Sequence, residues 1–198
     1  MEQLSACIAD RMIDLNIICS DDKDCYCYSV QGLLEKITCL TLIIVLAYIF
    51  HSLVGVIAFL SVFMLIRRSS DGIHCKTAVG CFFASTIISL STIQVVRTIN
   101  GNCAMCIGGV VCAMIILCII ATYNNPDLNL TKEELNHLKR RSRFTSLITG
   151  AIVVIIISVF PEKEIVSYMA LGVIYNAICL LIAILLERRN RRDDKEEA

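Results

Sequence analysis

Apolar residues fall in blocks along the chain, at residues 37–66, 77–96, 103–123, 144–160 and 166–186, with polar or charged stretches between them. The last four blocks hold 17 to 21 residues each, enough for one helical crossing of a bilayer apiece. The first holds 30 residues, about 45 Å as one helix. That exceeds a ~30 Å hydrocarbon core unless the helix tilts heavily. His51 and Ser52 sit at its middle and suit a membrane interface, so the block divides into two short crossings. The pattern predicts an all-α, polytopic membrane protein of about six transmembrane helices.

Ahead of these blocks the pattern changes. Leu4, Ile8, Met12, Leu15 and Ile18 recur at three- and four-residue steps, with Glu2, Asp10, Arg11 and Asp14 off that line. This predicts an amphipathic helix over residues 1–20, lying on the membrane or against another helix. Residues 21–27 read as a loop. The expected organisation is an N-terminal helix and cytoplasmic loop (1–27), a six-helix membrane domain (28–187) and a charged cytoplasmic tail (188–198).

Composition agrees. The 198 residues are 57% hydrophobic and 18% charged, with mean hydropathy +0.73, whereas a soluble domain has about 25% charged residues. Lys+Arg 18 balance Asp+Glu 18, so bulk charge argues against a nucleic-acid partner. Position says more than the sum. With the N-terminus inside, only Arg97 and Lys163 fall in outer segments and the other 16 basic residues are cytoplasmic, a strong positive-inside signal. Reading the first block as one span changes the split to 13 and 5. The segments holding Arg67 and Lys139 stay cytoplasmic either way.

Several of the 12 cysteines lie within apolar runs, where a thiol acts as a small hydrophobe. They do not form the pattern of a secreted disulfide framework. The opening MEQLSACIADR has two acids and no basic n-region, so no cleavable signal peptide is expected.

The stretch RRSSDGIHCKTAVGCFFAS, residues 67–85, carries the candidate chemistry. An imidazole and a thiol at the edge of a span are the elements of nucleophilic catalysis, because the thiolate attacks and a nearby imidazolium stabilises it. Seven residues of continuous helix would hold His74 and Cys81 about 10.5 Å apart along the axis, too far for contact. A working pair needs a bend, which Gly72 and Gly80 permit. The helix is therefore expected to begin after His74, with His74 folded back over its start. Read on type and spacing alone, a lone Cys within a span such as Cys81 is usually a packing residue and a loop His such as His74 is usually solvated.

The stretch resembles the accessory gene regulator B proteins, the quorum-sensing propeptide endopeptidases of Gram-positive bacteria. The likeness lies in Arg67 and Arg68, then Gly72 two before His74, then Cys81 seven beyond it, followed by Phe82, Phe83 and Ser85. A second likeness is YNNPDLNLTKEELNHLKRRS, which is similar to that family's Tyr-x-x-Pro loop ending in a basic run. Asn125 precedes Pro126 where the family usually has Ala, Leu130 lies near its second Pro, and Asp71-Gly72 stands where Gly-Gly is frequent.

The resemblance implies a cysteine endopeptidase of the bacterial cell membrane with His74 and Cys81 as its dyad and its catalytic loop at 67–85 on the cytoplasmic side. Its implied substrate is a small AgrD-like propeptide with an amphipathic leader and an acidic tail. The enzyme would remove that tail and close a thiolactone, or a lactone if the substrate offers Ser. The resemblance also suggests a homodimer in the lipid bilayer. Asp71 is placed to orient His74, and Arg67 or Arg68 to hold an oxyanion or substrate carboxylates, with Gly72 and Ser85 beside them. Each has a plainer reading as a solvated acid or a topology anchor. Lys139, Arg140, Arg141 and Arg143 are candidates for contact with the acidic tail or anionic lipid.

Two other classes compete. Cys103-Ala-Met-Cys106 is a C-x-x-C pair suited to a membrane thiol–disulfide oxidoreductase, and such a role would not depend on His74. A transporter would need ionisable groups in mid-span, and the blocks have none apart from His51 if the first is one helix. No metal and no other cofactor is expected, since His74, Cys75 and Cys81 lack a fourth ligand at finger-like spacing.

Overall fold

A computed structural model describes residues 2–15, 17–19, 22–70, 78–99, 102–120 and 132–196. Among these are seven α-helices and no strand: α1 (Glu2–Asp14), α2 (Lys23–Ile49), α3 (Leu53–Ser70), α4 (Ala78–Ile99), α5 (Cys103–Ile120), α6 (Lys132–Val159) and α7 (Glu164–Glu196). Five carry segments long and apolar enough to cross a membrane: Lys23–Ile49, Phe82–Ile99, Cys103–Ile120, Glu133–Val159 and Glu164–Leu186. The 18-residue α3 is apolar until Arg67. Large apolar side chains such as Ile87, Ile119, Ile155 and Leu185 face outward, a surface that suits lipid and that water would penalise.

The long first block does divide. At the end of α2, His51 adopts φ 54°, and its N–H bonds the Tyr48 carbonyl while the Ser52 N–H bonds that of Ala47. This is the Schellman arrangement that closes a helix with one left-handed residue. Left-handed backbone costs an L-residue roughly 1–2 kcal/mol, and glycine is the usual occupant. His51→Gly is accordingly expected to raise the unfolding midpoint in detergent by a few degrees, about 1 kcal/mol; an unchanged or lower midpoint would show that the imidazole contributes more than the backbone costs.

α7 is the centre of the bundle. Of its apolar segment 44% is buried, against 11% for α2 at the periphery. One core cluster joins α7 to α3, α5 and α6 through Ile66, Val110, Leu117, Ile157 and Val173. A second joins it to α2, α3 and α4 through Ala47, Phe59, Ile93 and Tyr168. The α3–α7 pair is close because glycine lines it: a Cβ on Gly172 would lie 3.0 Å from the Phe59 carbonyl oxygen, and one on Gly55 would overlap the Tyr168 ring. Asn176 crosses the same seam, its Nδ2 donating to the carbonyls of Phe63 at 3.0 Å and Gly172 at 2.8 Å. Contacts of Gly55 with Tyr168 and Phe59 with Gly172 set α3 and α7 parallel.

Four boundaries depart from the sequence reading. α1 ends at Asp14, and it buries Ser5 and Ala9 while leaving Leu4 52% exposed. Small side chains let α1 lie close on α2, where Ser5 Oγ meets Cys27 Sγ at 3.3 Å and Asp10 pairs with Lys23. The expected loop at 21–27 is helical from Lys23. The charged residues ahead of the fifth block belong to α6 from Lys132, with Glu133 and Glu134 in its first turn, where acidic groups suit the helix dipole. The tail beyond residue 187 continues α7 to Glu196. In α2, α6 and α7 apolar patterning marked the apolar part and missed the polar turns that extend the same helix, whereas in α1 it carried the helix past its end at Asp14.

Candidate active site

The bundle has two unlike ends. At one, Arg97 of α4 donates to the Phe50 carbonyl at the α2–α3 turn (3.3 Å), and Cys103 at the start of α5 donates to the Pro161 carbonyl between α6 and α7 (3.2 Å). At the other lie the last turn of α3 with Arg67 and Arg68, the first turn of α4, the end of α5 and the basic early turns of α6. Alternating helix direction therefore gathers basic residues that are distant in sequence at one end.

The expected site straddles this basic end. The stretch 67–85 is mostly helix: residues 67–70 close α3 and residues 78–85 open α4. Asp71, Gly72 and His74 lie outside the described residues. Cys81 is in the first turn of α4, and Ser85 is half-buried one turn further along, on the same helix face by its four-residue spacing. Arg67 is half-buried, its guanidinium carbon 5.8 Å from the Phe63 ring centroid, while Arg68 is exposed.

The basic run of α6 separates by role. Lys139 is half-buried, and Arg140 and Arg141 are exposed. Arg143 donates from Nε to the Cys118 carbonyl at 2.9 Å. Cys118 is in the last turn of α5, whose terminal carbonyls lack helical donors, so Arg143 caps α5 and offsets its dipole. Its position in the sequence carried no sign of this, because the partner is a backbone group 25 residues earlier.

The two cysteines of the C-x-x-C pair have contacts with different elements. Cys103 Sγ donates to the Pro161 carbonyl, and the buried Cys106 Sγ lies 3.7 Å from Ser167 Oγ on α7. These contacts link α5 to the α6–α7 turn and to α7.

Sequence reading also passed over polar residues inside the apolar blocks. Besides Asn176, Ser91 and Tyr175 share a 2.7 Å hydrogen bond between α4 and α7. A polar residue in the middle of an apolar run was the available signal, since lipid-embedded helices gain from such cross-links.

A polytopic helical membrane protein with most of its basic groups at one end is the class that this architecture defines. The family model for accessory gene regulator B matches residues 5–185, and the chain belongs to that family. No curated protein and no solved structure gives a significant match. Membership supports a part in the processing of quorum-sensing autoinducer peptides.

Proposed function

We propose that the protein is a membrane cysteine endopeptidase that removes the C-terminal tail of a small AgrD-like propeptide and cyclises the remainder. The observation that carries this reading is the family match across residues 5–185, which contains the whole Arg67–Ser85 motif. The position of Cys81 in the first turn of α4 supports it, because unsatisfied backbone N–H groups there favour negative charge nearby. In this reading α2–α7 make six crossings, the basic end faces the cytoplasm by the positive-inside rule, and the enzyme is a homodimer.

The chemistry balances without an energy source. His74 takes the Cys81 proton as the sulfur attacks the scissile carbonyl. The C–N bond breaks, the departing amine receives that proton, and an acyl-thioester remains on Cys81. Departure of the tail draws this step forward. An internal thiol of the propeptide then displaces Cys81, exchanging one thioester for another of nearly equal energy, and a serine would give a lactone. Water competes for the intermediate, so a site shielded from water would preserve it for cyclisation. Arg67 and Arg68 stand where they can meet an oxyanion or the acidic tail.

The test is a purified protein in liposomes, given a synthetic propeptide and followed by mass spectrometry. The expected products are the free tail and a core peptide lighter by one water than its linear acid. An uncleaved propeptide in the presence of folded protein would overturn the reading. Replacing Cys103 and Cys106 together by Ala should leave the cleavage rate unchanged. Loss of cleavage in a correctly inserted double variant would instead favour a thiol–disulfide role.

A further inference from the structure

A groove of about 320 Å³ runs along the outside of the α5–α6 seam, lined by Val111, Met114, Ile115, Cys118 and Ile119 of α5 and Leu147 of α6. We infer that this groove and Arg143 at its end form a binding site for an anionic phospholipid, with an acyl chain in the groove and the headgroup phosphate on the guanidinium. Such a site would exist whether or not the protein cleaves a peptide.

The shape of the groove suits an acyl chain. Its α5 residues follow one another at one- and three-residue steps, a stripe along one helix face, and no charged group lies among them. From Val111 to Ile119 the stripe is about 12 Å long at 1.5 Å per residue. That is close to the depth of one leaflet, half of a ~30 Å hydrocarbon core. A helix from a second copy or from a peptide would sit there poorly. Helices approach one another closely in lipid over small residues, as α3 and α7 do at Gly55 and Gly172. This groove is edged by Val111, Ile115, Ile119 and Leu147, all exposed, which leave room for a flexible chain and hold a helix off.

Arg143 fixes the polar end. Its Nε donates to the carbonyl of Cys118 at 2.9 Å, two residues before α5 ends at Ile120, and Leu147 lies one turn along the same face of α6. The guanidinium is therefore held beside the groove where the apolar stripe stops. Its other nitrogens have no partner among the described residues, and a guanidinium presents such N–H groups to phosphate in pairs. Lys139 and Arg140, four and three residues earlier, add positive charge on that face. Neither pairs with a carboxylate among the described residues. The first-turn acids Glu133 and Glu134 lie about 13 Å or more along the axis from Arg143. Basic pockets between membrane helices hold anionic headgroups in this way. An acidic peptide would meet the charges and leave the groove unfilled, and a zwitterionic lipid would bring a cation of its own to a site already cationic.

The test uses the full chain in dodecyl maltoside micelles, with Cys118 in the groove as reporter and Cys112, exposed on α5 outside the lining, as control. N-ethylmaleimide labelling of both is followed by mass spectrometry while dioleoyl phosphatidylglycerol or dioleoyl phosphatidylcholine is titrated in. Phosphatidylglycerol should slow Cys118 and not Cys112. Phosphatidylcholine should need about tenfold more lipid for the same protection, the worth of one charge-assisted contact. Arg143→Gln should erase that preference, and Arg143→Lys should keep most of it. Because Arg143 also caps α5, the exposed Arg140 supplies a second variant: Arg140→Gln should narrow the preference without touching the cap. Equal protection by the two lipids, no protection by either, or equal slowing of Cys112 would overturn the inference. So would an unchanged preference in Arg143→Gln or, if that variant does not fold, in Arg140→Gln. Protection that N-acetyl-tetraglutamate matches would assign the site to an acidic peptide, and protection that rises with protein concentration in the absence of lipid would assign it to a second copy; either result contradicts a lipid site.

Discussion

Cys81→Ala and His74→Ala should each lower propeptide cleavage by roughly 10³-fold or more, since a nucleophile and its base act as one unit. Neither change should impair membrane insertion. Cys81 lies in the first turn of α4, whose core contacts come from later residues such as Ile93 and Val96, and loss of one sulfur atom there leaves those contacts in place. The paired measurement is tail release by mass spectrometry beside the yield of folded protein. The double variant should be no worse than either single one. Substantial cleavage in either variant would remove that residue from the chemistry, and a loss accompanied by misfolding would be repeated with Cys81→Ser, which conserves volume.

The second large effect is on stability. Gly172→Val is expected to destabilise the bundle by about 2–3 kcal/mol, the range for forced overpacking. The added Cβ would press on the Phe59 carbonyl oxygen at 3.0 Å and on Val62 at 3.1 Å. A backbone carbonyl cannot rotate aside as a side chain can, so α3 must move off α7. Asn176 would then lose its bond to Phe63 as well. Because α3 ends in Arg67 and Arg68, displacement of its axis should also reduce cleavage. Thermal unfolding in detergent measures the first effect. A wild-type midpoint would mean that α3 and α7 are not in close contact at Gly172.

Much of the architecture was legible from hydropathy alone. Each lipid-embedded block became a helix, and the interruption at His51 and Ser52 was visible as polarity at the middle of an overlong apolar run. The way that interruption is made was not legible, since a left-handed histidine has no sequence signature. Helix ends in water were read poorly for the same reason that the blocks were read well: periodic hydrophobicity reports contact with lipid and core, and Lys132–Arg143 makes little of either. The N-terminal helix shows a finer limit. Its large residues pointed to one contact face, but small ones, Ser5 and Ala9, meet α2, because close approach between helices selects for what is missing. For the candidate site, the basic end and the helical setting of Cys81 and Ser85 were within reach, whereas the α5 cap made by Arg143 was not. The partners of Cys103 and Cys106 likewise depend on how α5, α6 and α7 pack, which spacing within a C-x-x-C motif does not encode.

The most direct test of the dyad needs no substrate. Isolated membranes are treated with iodoacetamide near neutral pH, the modification of all 12 cysteines is followed by mass spectrometry, and the series is repeated with His74→Ala. Because the thiolate is the species that reacts, the predicted result is that Cys81 labels faster than exposed thiols such as Cys7 and Cys25 and slows without His74. A Cys81 that labels no faster than those two, at a rate indifferent to His74→Ala, would contradict a dyad assembled in the resting enzyme.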